Sequence, residues 1–191
     1  MRFCDEGEGT LGWVVDEFME RCSHALHADG RVWLVDPLDG DGVVERVLAL
    51  GEPAGVLQLL DRHGRDCSAL AARLGVPHHR IEMGDAPFEA VHTVARKHWR
   101  ELALWWPERR ILVCGDSLGT ARYFRAPGEH LAVHPLLRLT PPRNLSRLEP
   151  ERILVGHGTE AEGAALRGAL RGSRIRAPLV PIGFVLAFTR R

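Results

Sequence analysis

The chain has 191 residues, 45% of them apolar and 26% charged, which is enough for one substantial core in an ordinary soluble globular protein. Its 25 basic and 25 acidic side chains cancel, so no global field exists to attract nucleic acid or an anionic membrane surface. No apolar run is long enough to span a bilayer, and no apolar stretch follows the start Met1–Glu6, so the reading is a cytoplasmic protein without a signal peptide. Cys4, Cys22, Cys67 and Cys114 show no paired spacing, which fits reduced thiols.

In chain order, Gly12–Met19 is a short apolar segment. Cys22–Ala28 and Arg31–Asp36 are separated by Asp29-Gly30, a strong hairpin signal. Val32–Val35 reads as a strand ending in Asp36-Pro37. Asp41–Leu50 reads as a helix with Val43, Val44, Val47 and Leu48 on one face, closed by Gly51 and Pro53. Val56–Leu60 reads as a buried strand bounded by Pro53 and Gly55. It runs into Asp61-Arg62-His63-Gly64-Arg65-Asp66-Cys67, and a helix over Ser68–Leu74 follows, stopped by Gly75 and Pro77. Asp61 and His63 are two apart, so an extended backbone would point both to one face. Val76–Glu89 is loop-rich and carries His78 and His79, which read as surface residues.

Val91–Asp116 carries apolar runs on either side of Pro107 and ends in Gly115-Asp116. His92 and His98 lie in its first part. Arg122–Leu139 shows no strong pattern, and His130 and His134 within it read as structural. Arg143–Leu148 reads as a short helix. Glu151–Val155 reads as a strand running into Gly156-His157-Gly158, and Thr159-Glu160-Ala161-Glu162 has the capping-box pattern, predicting a helix to about Leu170. The tail Ala177–Phe188 is apolar with two prolines, suited to packing on the core or against a second copy of the chain.

Three apolar strands therefore end in metal-capable side chains, at Asp61, Asp116 and His157. This order of blocks resembles the metallo-β-lactamase superfamily, whose signature is His-x-His-x-Asp-His between a buried strand and a helix. Laid on the chain, the four signature positions are read at Asp61, His63, Asp66 and Cys67. His98 takes the place of the third histidine, Asp116 that of a bridging aspartate, and His157 that of the histidine in a Pro-Gly-His-Gly-like block. The resemblance covers roughly Arg31 to Leu170. It implies an α/β fold, a four-layer αβ/βα sandwich of two mixed sheets with helices outside, formed by a single domain over 1–191. It also implies one or two divalent ions: a first site of Asp61, His63 and His98, a second of Asp66, Cys67 and His157, and Asp116 between them. Asp36, at a strand end where the family commonly carries aspartate, is either a support to these ligands or a turn former before Pro37.

The departures from the signature replace one ligand type by another rather than by inert side chains, which favours retained metal binding. Zinc is the first expectation for the ion, with iron or manganese suited to the added carboxylate. The implied activity is hydrolysis of a small ester, thioester, lactone or phosphoester by a metal-bound hydroxide, with Asp66 and Asp116 orienting the attacking water. The competing reading is a non-catalytic binding or scaffold protein of the same fold. A third comes from Gly115-Asp116-Ser117-Leu118-Gly119, which resembles the GDSL esterase and lipase motif with Ser117 as nucleophile. No aspartate follows Asp116, so the usual triad order is unavailable to it. The expected partner is a small-molecule substrate, with neither nucleic acid nor membrane, and with a homo-oligomer left open.

Overall fold

The computed structural model describes residues 1–7 and 9–180; residues 181–191, most of the apolar tail, lie outside the described residues. The first sheet takes its strands from the first half of the chain: β1 (Arg2–Gly7), β2 (Thr10–Val14), β3 (Cys22–Ala28), β4 (Arg31–Val35), β5 (Glu52–Gln58) and β6 (His78–Arg80), side by side in that order. Pairing is antiparallel from β1 to β4 and parallel from β4 to β6. The β3–β4 hairpin turns at Asp29 (φ 51°) and Gly30 (φ 76°), the left-handed pair that the Asp-Gly sequence favours. The parallel crossovers use helices α1 (Val43–Leu50) and α2 (Cys67–Leu74).

The second sheet is built from β7 (Glu89–Arg96), β8 (Trp99–Trp106) and β9 (Ile111–Cys114). A two-stranded ribbon, β10 (Leu118–Gly119) with β11 (Ala132–Val133), separates these from β12 (Arg152–Val155) and β13 (Ala161–Glu162). The spatial order is β13-β12-β9-β8-β7, with β12 parallel to β9 and the other pairs antiparallel. Helix α3 (Ala165–Arg176) covers this sheet.

Period-two alternation sorts the strand side chains into layers. Val32, Leu34 and Val56 face α1 and α2 with Val43, Val47 and Ala71. Trp33, Val35 and Leu57 face the second sheet and meet Leu102, Leu104, Val113 and Leu154. Ala103, Leu112, Ile153 and Val155 face the other way, under Leu166, Ala169 and Leu170 of α3. Central strands buried on both faces explain the near-continuous apolar runs of the sequence. The result is helices, sheet, sheet, helix: the expected four-layer sandwich.

Some expected boundaries move. Pro53 and Gly55 belong to β5 rather than bounding it, and β6 forms in the segment read as loop. The capping box at Thr159 opens no helix. Ala161–Glu162 pairs with β12 instead, and α3 begins at Ala165 and runs past Gly172 to Arg176. Pairing to an exposed sheet edge satisfies the same backbone groups that the cap would have served.

Candidate metal centre

Three strand ends deliver three side chains to one place. After β5, His63 N–H closes a turn onto Leu60 O at 2.9 Å. After β9, Gly115 leads into Asp116, and after β12, Gly156 leads into His157. The approach of these two ends needs glycine, because a Cβ on Gly156 would lie 2.6 Å from Gly115 O. On the far side of His157, Gly158 adopts φ +99° against Thr120. His63 Nε2 and His157 Nε2 each lie 3.0 Å from Asp116 Oδ1. All three ligand atoms fall within 4.8 Å of one another.

The other nitrogen of each ring fixes its tautomer. His63 Nδ1 lies 3.0 Å from Asp36 Oδ2 and His157 Nδ1 lies 2.8 Å from Met19 O. A carboxylate and a carbonyl only accept, so each Nδ1 carries a hydrogen, which leaves each Nε2 to face Asp116. Although close, neither ring is aligned as a hydrogen-bond donor to Asp116 Oδ1, which is buried without such a partner. Burial and the Arg65 charge lower the His63 pKa, but Asp36 and Asp116 outweigh them and raise it, so without an ion a proton on His63 offsets the two carboxylates, the place a bound cation would take. Nitrogen and oxygen ligands about 2.0–2.2 Å from a tetrahedral zinc ion stand roughly 3.3–3.5 Å apart, so the donors are spaced and typed for a cation. Burial raises the Asp116 pKa, but the two rings outweigh it and hold the carboxyl far below the usual range, as a charged ligand requires. Asp36 is itself well anchored: it sits at φ 43°, accepts Leu59 N–H at 2.9 Å and supports His63. Of its two sequence readings, the structure shows the support.

The remaining candidates point elsewhere. Asp61 Oδ2 accepts Arg100 N–H at 3.0 Å and ties the end of β5 to β8. Asp66 precedes α2 and its Oδ2 accepts Asp39 N–H at 2.8 Å. Cys67, the first residue of α2, is buried among Leu34, Val43 and Val47, and burial pushes its thiol up to about 12. A thiol so protonated is a core residue rather than a ready ligand. His98 is exposed in the Lys97-His98 turn between β7 and β8, where Arg96 pairs with Trp99. The expected grouping of seven ligands therefore reduces, among the described residues, to His63, Asp116 and His157 in one cluster.

Counting explains part of this. From Asp61, the fifth and sixth letters of His-x-His-x-Asp-His fall on Arg65 and Asp66, one residue before the positions read from the sequence. Arg65, at φ 37°, turns its guanidinium under the site. Its Nη1 donates to Cys22 O and to Asp36 O (2.9 Å), and its Nη2 to Gly156 O (3.0 Å). One cation clamps carbonyls from both sheets where the signature would place an aspartate ligand.

Around the cluster stands a wall the sequence left unread. Phe124 stacks on His157 with centroids 5.7 Å apart, and Tyr123 meets His157 edge-on at 5.8 Å. His134 sits edge-on between Trp99 and Phe124, at 4.9 and 5.0 Å. Its Nδ1 accepts Leu136 N–H, and burial lowers its pKa to about 4, so it stands neutral. Arg62 lies 4.3 Å over Trp99, half-exposed, with Nη2 3.5 Å from Asp116 Oδ2.

Glu101 is the least expected group. It stands in β8 at a fully buried position, accepting Ser117 N–H at 2.9 Å and Trp99 Nε1–H at 3.3 Å. Burial, with the Asp116 charge adding to it, raises its pKa from 4.5 to about 7. The folded state therefore binds this proton more tightly than the unfolded state, so its contribution to stability is complete below pH 4.5 and is lost as pH rises through 7. The loss is on the order of 3 kcal/mol. In chelator-treated protein, the stability difference between wild type and Glu101→Gln, from urea unfolding at pH 5 and pH 8, should shift toward the variant at the higher pH. A difference independent of pH would show that Glu101 ionises normally. Ser117, held by Glu101 through its backbone N–H, has a fully buried hydroxyl without an aligned hydrogen bond among the described residues.

No family model and no curated protein matches the chain. Solved structures do match over nearly its whole length. DIM-1 metallo-β-lactamase exposed to ceftazidime is 15% identical with a TM-score of 0.59, covering 93% of this chain and 96% of the other. The metallo-β-lactamase FIM-1 from Pseudomonas aeruginosa, in a mono-zinc form, is 12% identical with a TM-score of 0.57, covering 92% and 96%. A peroxy diiron species of the chemotaxis sensor ODP is 12% identical with a TM-score of 0.53, covering 91% and 94%. The chain has the metallo-β-lactamase fold.

Proposed function

We propose, from the premise of a metallo-β-lactamase fold, that this chain is a metal-dependent hydrolase holding one divalent ion on His63, Asp116 and His157. Its substrate would be a small ester, thioester, lactone or phosphoester. The observation that carries the reading is the set of three ligand atoms, two imidazole Nε2 and one carboxylate oxygen, within 4.8 Å of one another, the carboxylate oxygen being buried without an aligned hydrogen bond. Two histidines and one carboxylate are a donor set that leaves a further position open, as catalytic sites do. Zinc suits it first; manganese or iron(II) suits the carboxylate. Once bound, the ion would supply Lewis-acid polarisation and a more acidic water.

The chain's own residues do the rest. Asp36 and Met19 O hold the two rings in register, which fixes ligand geometry before any ion arrives. Arg62, half-exposed on Trp99, is placed to meet an anionic group of a substrate at the mouth. Phe124, Tyr123 and Trp99 exclude water from one side, which strengthens every charge interaction within. A second ion has little support. Asp66 and Cys67 are turned away, and the Arg65 guanidinium supplies a fixed positive charge beside the cluster. The mono-zinc form of FIM-1 agrees with a single ion on this fold.

A second reading keeps the fold and the ion but not turnover. It is favoured by Arg62, whose contact with Asp116 Oδ2 narrows the approach to the cluster. Assays of p-nitrophenyl acetate, an acyl thioester and bis-p-nitrophenyl phosphate, after loading with zinc, manganese or iron(II), separate the two. Hydrolysis that chelation abolishes and Ser117→Ala leaves largely intact is the expected result. A bound ion with no turnover of any probe supports the second reading. Turnover that survives chelation and disappears with Ser117→Ala would return the chain to the serine reading.

A further inference from the structure

On the outer layer, away from the three strand ends, helix α3 and the 3₁₀ helix Arg143–Arg147 enclose a cleft of about 470 Å³. Arg143, Arg167, Arg171 and Arg174 line it, together with Ser146 and the buried Leu170. We propose that this cleft binds a small polyanion carrying two linked phosphate groups, such as pyrophosphate or the diphosphate of a nucleotide.

Four guanidinium groups converge on one concavity in a chain whose net charge is zero. Like charges repel, so such a grouping costs stability unless an anion offsets it. The local acid count does not. Glu149 lies 3.0 Å from Arg167, and Arg174 Nε donates to Leu139 O at 2.9 Å. Among the described residues, the guanidinium groups of Arg143 and Arg171 meet neither an acceptor nor a carboxylate. Two exposed donor forks, one on each helix, therefore line the cleft without a protein partner among the described residues.

The spacing indicates the ligand. Arg167, Arg171 and Arg174 follow one another at four and three residues, which places them on one helix face over about 10 Å of rise. Arg143 faces them from the other wall. A lone phosphate offers too few oxygens for forks spread over that length, whereas two linked phosphates offer bidentate acceptors to several. A cleft of this volume lies within the range of small-molecule sites. Among the described residues the cleft is lined by no aromatic side chain of the kind that stacks bases, which argues against extended nucleic acid.

Calorimetric titration of inorganic pyrophosphate into the full chain, in chelator and at low salt, tests the proposal. Saturable binding of one pyrophosphate per chain is expected, weakening as salt is raised and stronger than binding of orthophosphate. Arg143→Glu and Arg171→Glu each should weaken it about 10- to 100-fold, as expected when charge-assisted hydrogen bonds are lost. Both side chains are exposed, so the variants should keep the wild-type circular dichroism spectrum and unfolding midpoint. His157→Ala should leave the affinity unchanged, which separates this cleft from the metal cluster and keeps the outcome independent of the proposed hydrolase. Absence of binding, or binding indifferent to both arginine variants, overturns the proposal. So does tighter binding of duplex DNA with the same arginine dependence, which would make the face a nucleic-acid surface.

Discussion

Glu129→Ala should destabilise the folded chain by about 3–5 kcal/mol, the cost of leaving one partner of a buried ion pair alone. Glu129 and Arg138 are each 1% exposed at the side chain and meet through two bonds, Nη1 to Oε1 at 3.1 Å and Nη2 to Oε2 at 2.5 Å. Arg138 Nη2 also donates to Phe124 O at 2.7 Å, and Glu129 Oε2 accepts Ala126 N–H at 2.8 Å. The pair therefore gathers the long connection between β9 and β12, including the aromatic residues that stand over the metal cluster. Its expected cost is a large fraction of the roughly 5–15 kcal/mol by which domains are stable. Urea unfolding of wild type, Glu129→Ala and the double variant Glu129→Leu with Arg138→Met would measure it. The double variant should recover much of the loss, because no charge is then left buried. A single-variant cost below about 1 kcal/mol, the scale of an exposed pair, would contradict the burial described.

Asp116→Ala should weaken binding of zinc by well over the roughly 10–100-fold that loss of an outer support costs a metal site. Asp116 provides the anionic donor of the cluster, and its Oδ1 is the atom both Nε2 atoms approach. Asp36→Asn acts one step out. It keeps an acceptor for Leu59 N–H but weakens the hold on His63, so its effect should fall within that 10–100-fold range. Competition against a chromophoric chelator reads both. Equal losses from the two variants, or no loss from Asp116→Ala, would show that the carboxylate is not a ligand.

The strands were legible as apolar runs, but the layers came from the family resemblance: Val32 to Val35 and Ile111 to Cys114 are apolar throughout, and only the structure shows each dividing its side chains between two layers. His63, Asp116 and His157 were legible for a related reason, since each directly follows an apolar strand and the last two are flanked by glycine. What failed was direction. Whether Arg65, Asp66 or Cys67 meets the cluster depends on a left-handed turn at Arg65, which no local pattern announces. His98 was given a ligand's place by the resemblance alone, and it falls in a two-residue hairpin turn, because the β7–β8 pairing runs through Arg96 and Trp99. Glu101 carried one signal, a charge between Trp99 and Ala103 on the face that alternation buries. Met19 O is a backbone carbonyl and His134 lies in a segment without periodicity, so neither support could be read from side-chain type.

The most direct test of the single-ion site is the metal content of the purified chain after dialysis against excess zinc and removal of loosely held ions. One zinc per chain, reduced to near zero in His63→Ala, Asp116→Ala and His157→Ala and unchanged in Cys67→Ala and His98→Ala, is the predicted result. Two zinc ions per chain, or one that persists without His157 and disappears with Cys67 or His98, would contradict it.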